Sequence, residues 1–130
     1  MENTPNHHDL LYRSETSSII NLALEVHKEL GHGFLEIIYK DALEYEFKNA
    51  ALPYEREKEY SVPYKAIILP RKFFSDFTAY DKIILEIKAQ SNIGSEDLKQ
   101  TINYMKSSGC KVGLILNFGR EKLEIKRMVF

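Results

Sequence analysis

Two carboxylates and a lysine sit inside a segment that otherwise reads as a β-hairpin. In SDFTAYDKIILEIKA, residues 75–89, these are Asp76, Glu86 and Lys88. Acids are poor strand formers and a buried carboxylate loses its hydration, so their placement asks for a chemical reason. Glu86 and Lys88 are two residues apart and project from one face of a strand, roughly 6–7 Å apart. A three-residue loop at Tyr80, Asp81 and Lys82 sets Asp76 opposite Glu86. A two-residue loop at Asp81 and Lys82 sets it opposite Ile87, on the wrong face. In the first register the two acids face each other about 5 Å apart between backbones. Their repulsion must then be offset by a proton, by Lys88 or by a divalent cation. Carboxylate oxygens are the hard ligands that Mg²⁺ prefers, and a neighbouring lysine can neutralise charge on a phosphate. Solvent-facing E-x-K pairs are common on sheets. Here, however, the pair interrupts the apolar run Ile83, Ile84, Leu85, Ile87 and Ala89, and Asp76 lies among Phe73, Phe74 and Phe77. Acids in such surroundings point to a site.

Two further constellations are candidates. In GHGFLEIIYKDAL, Gly33, Glu36 and Tyr39 are spaced G-x-x-E-x-x-Y, with the acid and the tyrosine one helical turn apart. As a first-turn acid, Glu36 is also simply favoured by the helix dipole. The preceding G-x-G lacks the remaining glycines of a phosphate loop. Gln100 and Tyr104 form a polar i, i+4 pair. His7 and His8 fall in a polar start, and His27 and His32 have no partner at metal-ligand spacing. Cys110 reads as a small core residue.

The elements that must position these residues follow from periodicity. Ile19, Ile20, Ala23, Leu24, Val26 and Leu30 predict a helix over 14–30, closed by Gly31-His32-Gly33. A second helix is predicted over 35–50, with Leu35, Ile38, Tyr39, Ala42, Leu43 and Phe47 inward, ending before Pro53. Alternation then predicts one strand in YEREKEYSV, a second in YKAIIL ending at Pro70, and the hairpin strands of 75–89. GSEDLKQTINYMKSSG predicts a helix capped by Ser95, with Glu96 and Asp97 in its first turn and Leu98, Ile102 and Met105 inward. KVGLILNF reads as a buried strand and KLEIKRMVF as an alternating one. The order ααββββαββ predicts an α/β (α+β) domain around one central sheet.

Composition sets the outer limits. A chain of 130 residues with 44% apolar content suits one domain, here 1–130 with a frayed start at 1–9. No apolar run approaches the ~20 residues of a membrane span, and no secretory leader is visible. One cysteine excludes a disulfide framework and a multi-cysteine zinc site, and fits a reducing compartment. The expectation is a cytoplasmic protein with no membrane partner. The net charge of −1 conceals an asymmetry: residues 1–81 carry 9 basic against 14 acidic side chains, residues 82–130 carry 9 against 5. A polyanion would therefore meet a local surface of the second half.

Taken together, these residues resemble the GxxExxY proteins, a branch of the PD-(D/E)XK nuclease-like superfamily. The resemblance runs from about Leu22 to Arg127. It comprises GHGFLEIIYKDAL, Asp76 ten residues before EIK, QTINYMK, GLILNFG and a terminal KR. It implies a restriction-endonuclease-like core, a central mixed sheet flanked by helices. By position, Asp76 and Glu86 resemble the metal-binding acids and Lys88 the catalytic lysine. Glu36 resembles the helix-borne acid that completes the metal site, and Gln100 the polar residue supplied by the following helix. Ser75 stands where the superfamily motif has proline. The implied activity is Mg²⁺- or Mn²⁺-dependent hydrolysis of phosphodiester bonds in DNA. The alternative is a catalytically silent nucleic-acid-binding or protein-interaction module on the same fold. Lys99, Lys106, Lys111, Arg120, Lys122, Lys126 and Arg127 are the expected basic contacts to nucleic acid.

Overall fold

A computed structural model describes residues 11–130. The frayed start anticipated at 1–9 lies outside the described residues. Helices α1 (Arg13–Leu30) and α2 (Glu36–Asn49) precede strands β1 (Tyr54–Arg56), β2 (Glu59–Tyr64), β3 (Ile67–Phe74), β4 (Phe77–Ala79) and β5 (Ile83–Lys88). Helix α3 (Ser95–Ser108), β6 (Val112–Asn117) and β7 (Glu124–Val129) complete the chain. The central sheet has the spatial order β1-β4-β5-β6-β7. Only β5 and β6 run parallel, and α3 is the crossover that such a pair requires. Strands β2 and β3 form a separate hairpin.

Several expectations need correction. The single strand read in 54–62 is two strands, because Glu57 takes a left-handed conformation (φ 52°). That turn breaks the ladder, so β1 joins the central sheet and β2 leaves for the hairpin. The order is therefore ααβββββαββ, with one strand more than alternation suggested. Strand β3 starts at Ile67 and runs through Pro70 to Phe74. A proline is tolerated there because a two-stranded hairpin has free outer edges. Gly94, not Ser95, holds the cap position of α3, and its N–H donates to Asp97 Oδ2 at 2.9 Å. Leu35 and Ile38 are exposed; α2 buries Tyr39, Leu43 and Phe47 instead.

The two faces of the sheet are packed differently. Toward α1 and α2, Ile83, Leu85, Ile87, Leu114 and Leu116 join Ile19, Ala23, Leu43, Phe47 and Phe77 in the main core. Tyr39 stacks on Phe118 there, with ring centroids 4.8 Å apart. Toward α3 the core is small: Ile84, Met105 and Cys110, edged by Tyr60, Tyr104 and Met128. Gly113 lets α3 close on β6, since a Cβ there would lie 2.7 Å from Met105 Sδ and 3.1 Å from Thr101 Cγ2. Among the described residues no helix is long and apolar enough to cross a membrane.

Candidate active site

The β4–β5 loop has three residues, with Tyr80 (φ 54°) and Asp81 (φ 58°) both left-handed. Lys82 N–H closes it on the Ala79 carbonyl at 3.1 Å. An odd loop sets the pairs Ala79↔Ile83, Thr78↔Ile84 and Phe77↔Leu85. Asp76, one residue further, is therefore in line with Glu86 and on the face of the sheet that α3 covers. The backbone ladder stops there and the side chains take over. The Asp76 N–H donates to Glu86 Oε2 at 2.8 Å, and the Ile87 N–H donates to Asp76 Oδ2 at 2.7 Å. Each acid thus satisfies a backbone donor left unpaired where β4 gives out. The approach to Asp76 is fixed as well. Its carbonyl accepts the Glu57 N–H at 2.8 Å, and Ser75, fully buried, places its hydroxyl 2.8 Å from that of Thr78.

These bonds leave one oxygen of each acid for other work. Asp76 Oδ1 is 2.7 Å from the ammonium of Lys40, which reaches the strand end from α2. Glu86 Oε1 makes no hydrogen bond among the described residues. Glu86 is 4% exposed, and burial, then the nearby Asp76 charge, push its carboxyl up to about 8. The Asp76 N–H, Lys88 and Lys40 oppose that rise without cancelling it. Burial alone would lower the Lys40 ammonium, yet Asp76 and Glu36 hold it above its ordinary value. Tyr104 is raised by burial and then by the Glu86 and Asp76 charges.

Glu36 does not meet the two strand acids. Its Oε1 lies 3.6 Å from Lys40 Nζ, so Lys40 stands between Glu36 and Asp76. Among the described residues no three acidic, histidine or cysteine side chains converge as metal ligands. The G-x-x-E-x-x-Y spacing has a structural use. Gly33 takes φ 110°, Glu36 opens α2, and the buried Tyr39 hydroxyl donates to the Gly31 carbonyl at 2.6 Å. The same hydroxyl accepts the Phe34 N–H at 3.2 Å, clasping the α1–α2 loop. Lys40 was missed in the sequence because an i, i+4 glutamate–lysine pair reads as an ordinary surface pair.

Lys88 shares the face of Glu86 by strand alternation and lies 3.8 Å from Asp97 Oδ1. It lines a hollow of about 640 Å³ with Glu96, Asp97, Lys99, Gln100, Asn103 and Tyr104. Asp97 is a second residue that the sequence reading did not assign to the site. By position Asp97 is a first-turn acid of α3, and its Oδ2 also accepts from Gln90 Nε2 at 2.5 Å. The strand exit behind Lys88 is locked by fully buried Asn117. Its amide donates to the Gln90 carbonyl (2.9 Å) and Glu124 Oε1 (3.0 Å), and its oxygen accepts the Gln90 and Gly119 N–H groups. Gly119 must be glycine, since a Cβ would lie 2.3 Å from Gln90 backbone atoms.

The seven basic candidates are dispersed. Lys99 lines the hollow with Lys88. Lys126 is in the sheet row of Glu86, through Ile115, roughly 10 Å away. Arg120 and Lys122 line another hollow, of about 670 Å³, beside His32. Lys106 covers the Phe130 ring, and the Lys111 carbonyl accepts the Phe130 N–H. Arg127 is turned to the other face, where it donates to Thr16 Oγ1 and the Leu11 carbonyl.

A family model described as the PD-(D/E)XK nuclease superfamily matches residues 13–128. The chain belongs to that superfamily. PD-(D/E)XK proteins act on nucleic acid and generally use divalent metals, and the fold found here, a mixed sheet flanked by helices, is consistent with theirs. The crystal structure of SSO0001 superposes with a TM-score of 0.56 at 15% identity, over 98% of this chain and 70% of that one. At that identity the likeness speaks for the fold alone. Among curated proteins, none matches the chain. The acid pair fits the divalent metal that PD-(D/E)XK nucleases use. Asp76 Oδ1 and Glu86 Oε1 are hard oxygens, and a divalent cation would take the place of the Lys40 ammonium on the first and of the proton that burial favours on the second.

Proposed function

We propose that the protein is a Mg²⁺- or Mn²⁺-dependent nuclease that hydrolyses phosphodiester bonds in DNA, on the GxxExxY branch of its superfamily. The observation that carries this reading is the reciprocal clasp of Asp76 and Glu86. Each carboxylate spends one oxygen on the other strand's backbone and keeps one for a cation. Asp76 and Glu86 would hold the metal, which would supply an activated water and charge stabilisation for the departing oxygen. Lys88, on the lining of the hollow, neutralises charge on the phosphate, and Asp97 restrains its ammonium until the substrate arrives. Lys40 balances the acids in the metal-free protein and Glu36 positions Lys40. Gln100, exposed on the wall of the hollow, and Lys99 beside it contact the substrate strand.

The test is a cleavage assay on single-stranded and duplex DNA with Mg²⁺ and with Mn²⁺, comparing wild type with Lys88→Ala. The variant, verified as folded by circular dichroism, should cleave at least a hundredfold more slowly, about 2.7 kcal/mol of lost transition-state stabilisation. Equal rates would remove Lys88 from the reaction. An RNA substrate cleaved in place of DNA would correct the substrate and keep the site.

A further inference from the structure

The β2–β3 hairpin is held at its base and free beyond it. It makes no ladder with the central sheet. Tyr60 and Phe73 stack at 5.2 Å, and Phe73 stacks on Tyr104 of α3 at 4.3 Å. Beyond the register shift between Ser61 and Pro63, Tyr64 and Ile67 pair and share one face of the outer arm, past the stack on α3. Tyr64, Ile67 and Ile68 are 54%, 58% and 59% exposed, an unusual apolar content for an unsupported ribbon.

Charge and edge chemistry say what this arm meets. From Tyr60 to Ser75 there is no acid, but there are three bases, Lys65, Arg71 and Lys72. Lys72 approaches Glu59 at 3.5 Å with both side chains exposed. Lys65 lies over the Tyr64 ring, and neither it nor Arg71 pairs with a carboxylate among the described residues. A second protein strand added to either edge is disfavoured, since Pro63 in β2 and Pro70 in β3 lack a ladder donor and the register shifts between Ser61 and Pro63. The arm is also wired to the site. Strand β3 passes through Ser75 directly into Asp76, and Tyr104 both supports the arm and lines the hollow with Lys88.

We propose that this hairpin is a nucleic-acid grip lying beyond the cleavage site. Lys65 and Arg71 take backbone phosphates of the strand that passes the Lys88 hollow, and Tyr64 and Ile67 lie against its sugars or bases. The inference rests on the nuclease reading and adds to it a binding surface that basic residues of the second half do not supply.

Binding separates the two. Fluorescence anisotropy of labelled single-stranded and duplex DNA and RNA oligonucleotides is measured in EDTA, so that no cleavage intervenes, from 50 to 200 mM salt. Lys65→Ala/Arg71→Ala and the charge reversal Arg71→Glu are compared with Lys99→Ala in the hollow, with circular dichroism to verify folding. The expected result is a Kd at least tenfold weaker for the double variant and a salt dependence shallower by about two phosphate contacts. If Lys99→Ala weakens binding while both folded arm variants bind as wild type, the grip is overturned and the nuclease reading stands. Unaltered binding with a loss of self-association in sedimentation would instead make the arm an interface between copies. No binding by the wild type to any oligonucleotide overturns both.

Discussion

The two faces of the central sheet differ in how they use the same strand. On β5, Ile83, Leu85 and Ile87 enter the closed apolar core under α1 and α2, while Ile84, Glu86 and Lys88 turn to α3. The first face is filled with aliphatic and aromatic side chains; Phe77, fully buried, meets Phe47 and Tyr54 edge-on at 5.4 and 5.9 Å. The second has a small core and gives its space to charges that are paired only in part. One face stabilises the fold, and that stability lets the other hold a buried acid whose ionisation works against folding.

Substitutions on opposite faces should therefore shift stability in opposite directions. Phe77→Ala removes a buried ring from the closed face and should cost about 4 kcal/mol in a denaturant titration. Glu86→Gln should instead stabilise the metal-free protein. The Glu86 carboxyl is raised from 4.5 to about 8 in the folded state, so the folded protein binds the extra proton between those values. The contribution of Glu86 to stability is then fullest below about pH 4.5 and is lost as pH rises toward 8. The amide does not titrate, so the gain should be near zero at pH 4.5 and about 4 kcal/mol at pH 8. A gain that does not vary with pH would mean that Glu86 is not the strained group.

A smaller effect is expected at Lys40, which bridges the faces from α2. Lys40→Met removes the cation 2.7 Å from Asp76 and should lower metal-free stability by about 1 kcal/mol at pH 7. The same change frees Asp76 Oδ1, so Mn²⁺ measured by calorimetry should bind several-fold more tightly. Loss of Mn²⁺ binding would show that Lys40 organises the site rather than competing for it.

Much of this contrast was legible in the residues. The acids stood out because Asp76 and Glu86 interrupt apolar strands, but loop parity left two registers open, and the left-handed Tyr80 and Asp81 of a three-residue loop decide which face they share. The helices were read from periodicity, and only local features shifted their inner faces, as where Leu35 and Ile38 turn outward. What periodicity could not carry was conformation at single residues: the left-handed Glu57 divides one alternating run between two sheets. Nor could it show which distant side chains converge. Lys40 and Asp97 resemble routine surface and first-turn residues until the chain folds, and Glu36, spaced as a site acid, ends beyond Lys40. Arg127, one of the expected nucleic-acid contacts, faces α1 because its strand position has the wrong parity.

The central claim is that Asp76 and Glu86 together hold a divalent cation. Thermal unfolding with and without Mn²⁺ at pH 7.5, for wild type and Asp76→Asn, tests it without any substrate. Binding to the native state stabilises it by mass action, so saturating Mn²⁺ at a hundredfold Kd should add about 2.7 kcal/mol to the wild type. Asp76→Asn should lose most of that gain while remaining folded. An equal upward shift in both proteins would place the cation elsewhere and contradict the site.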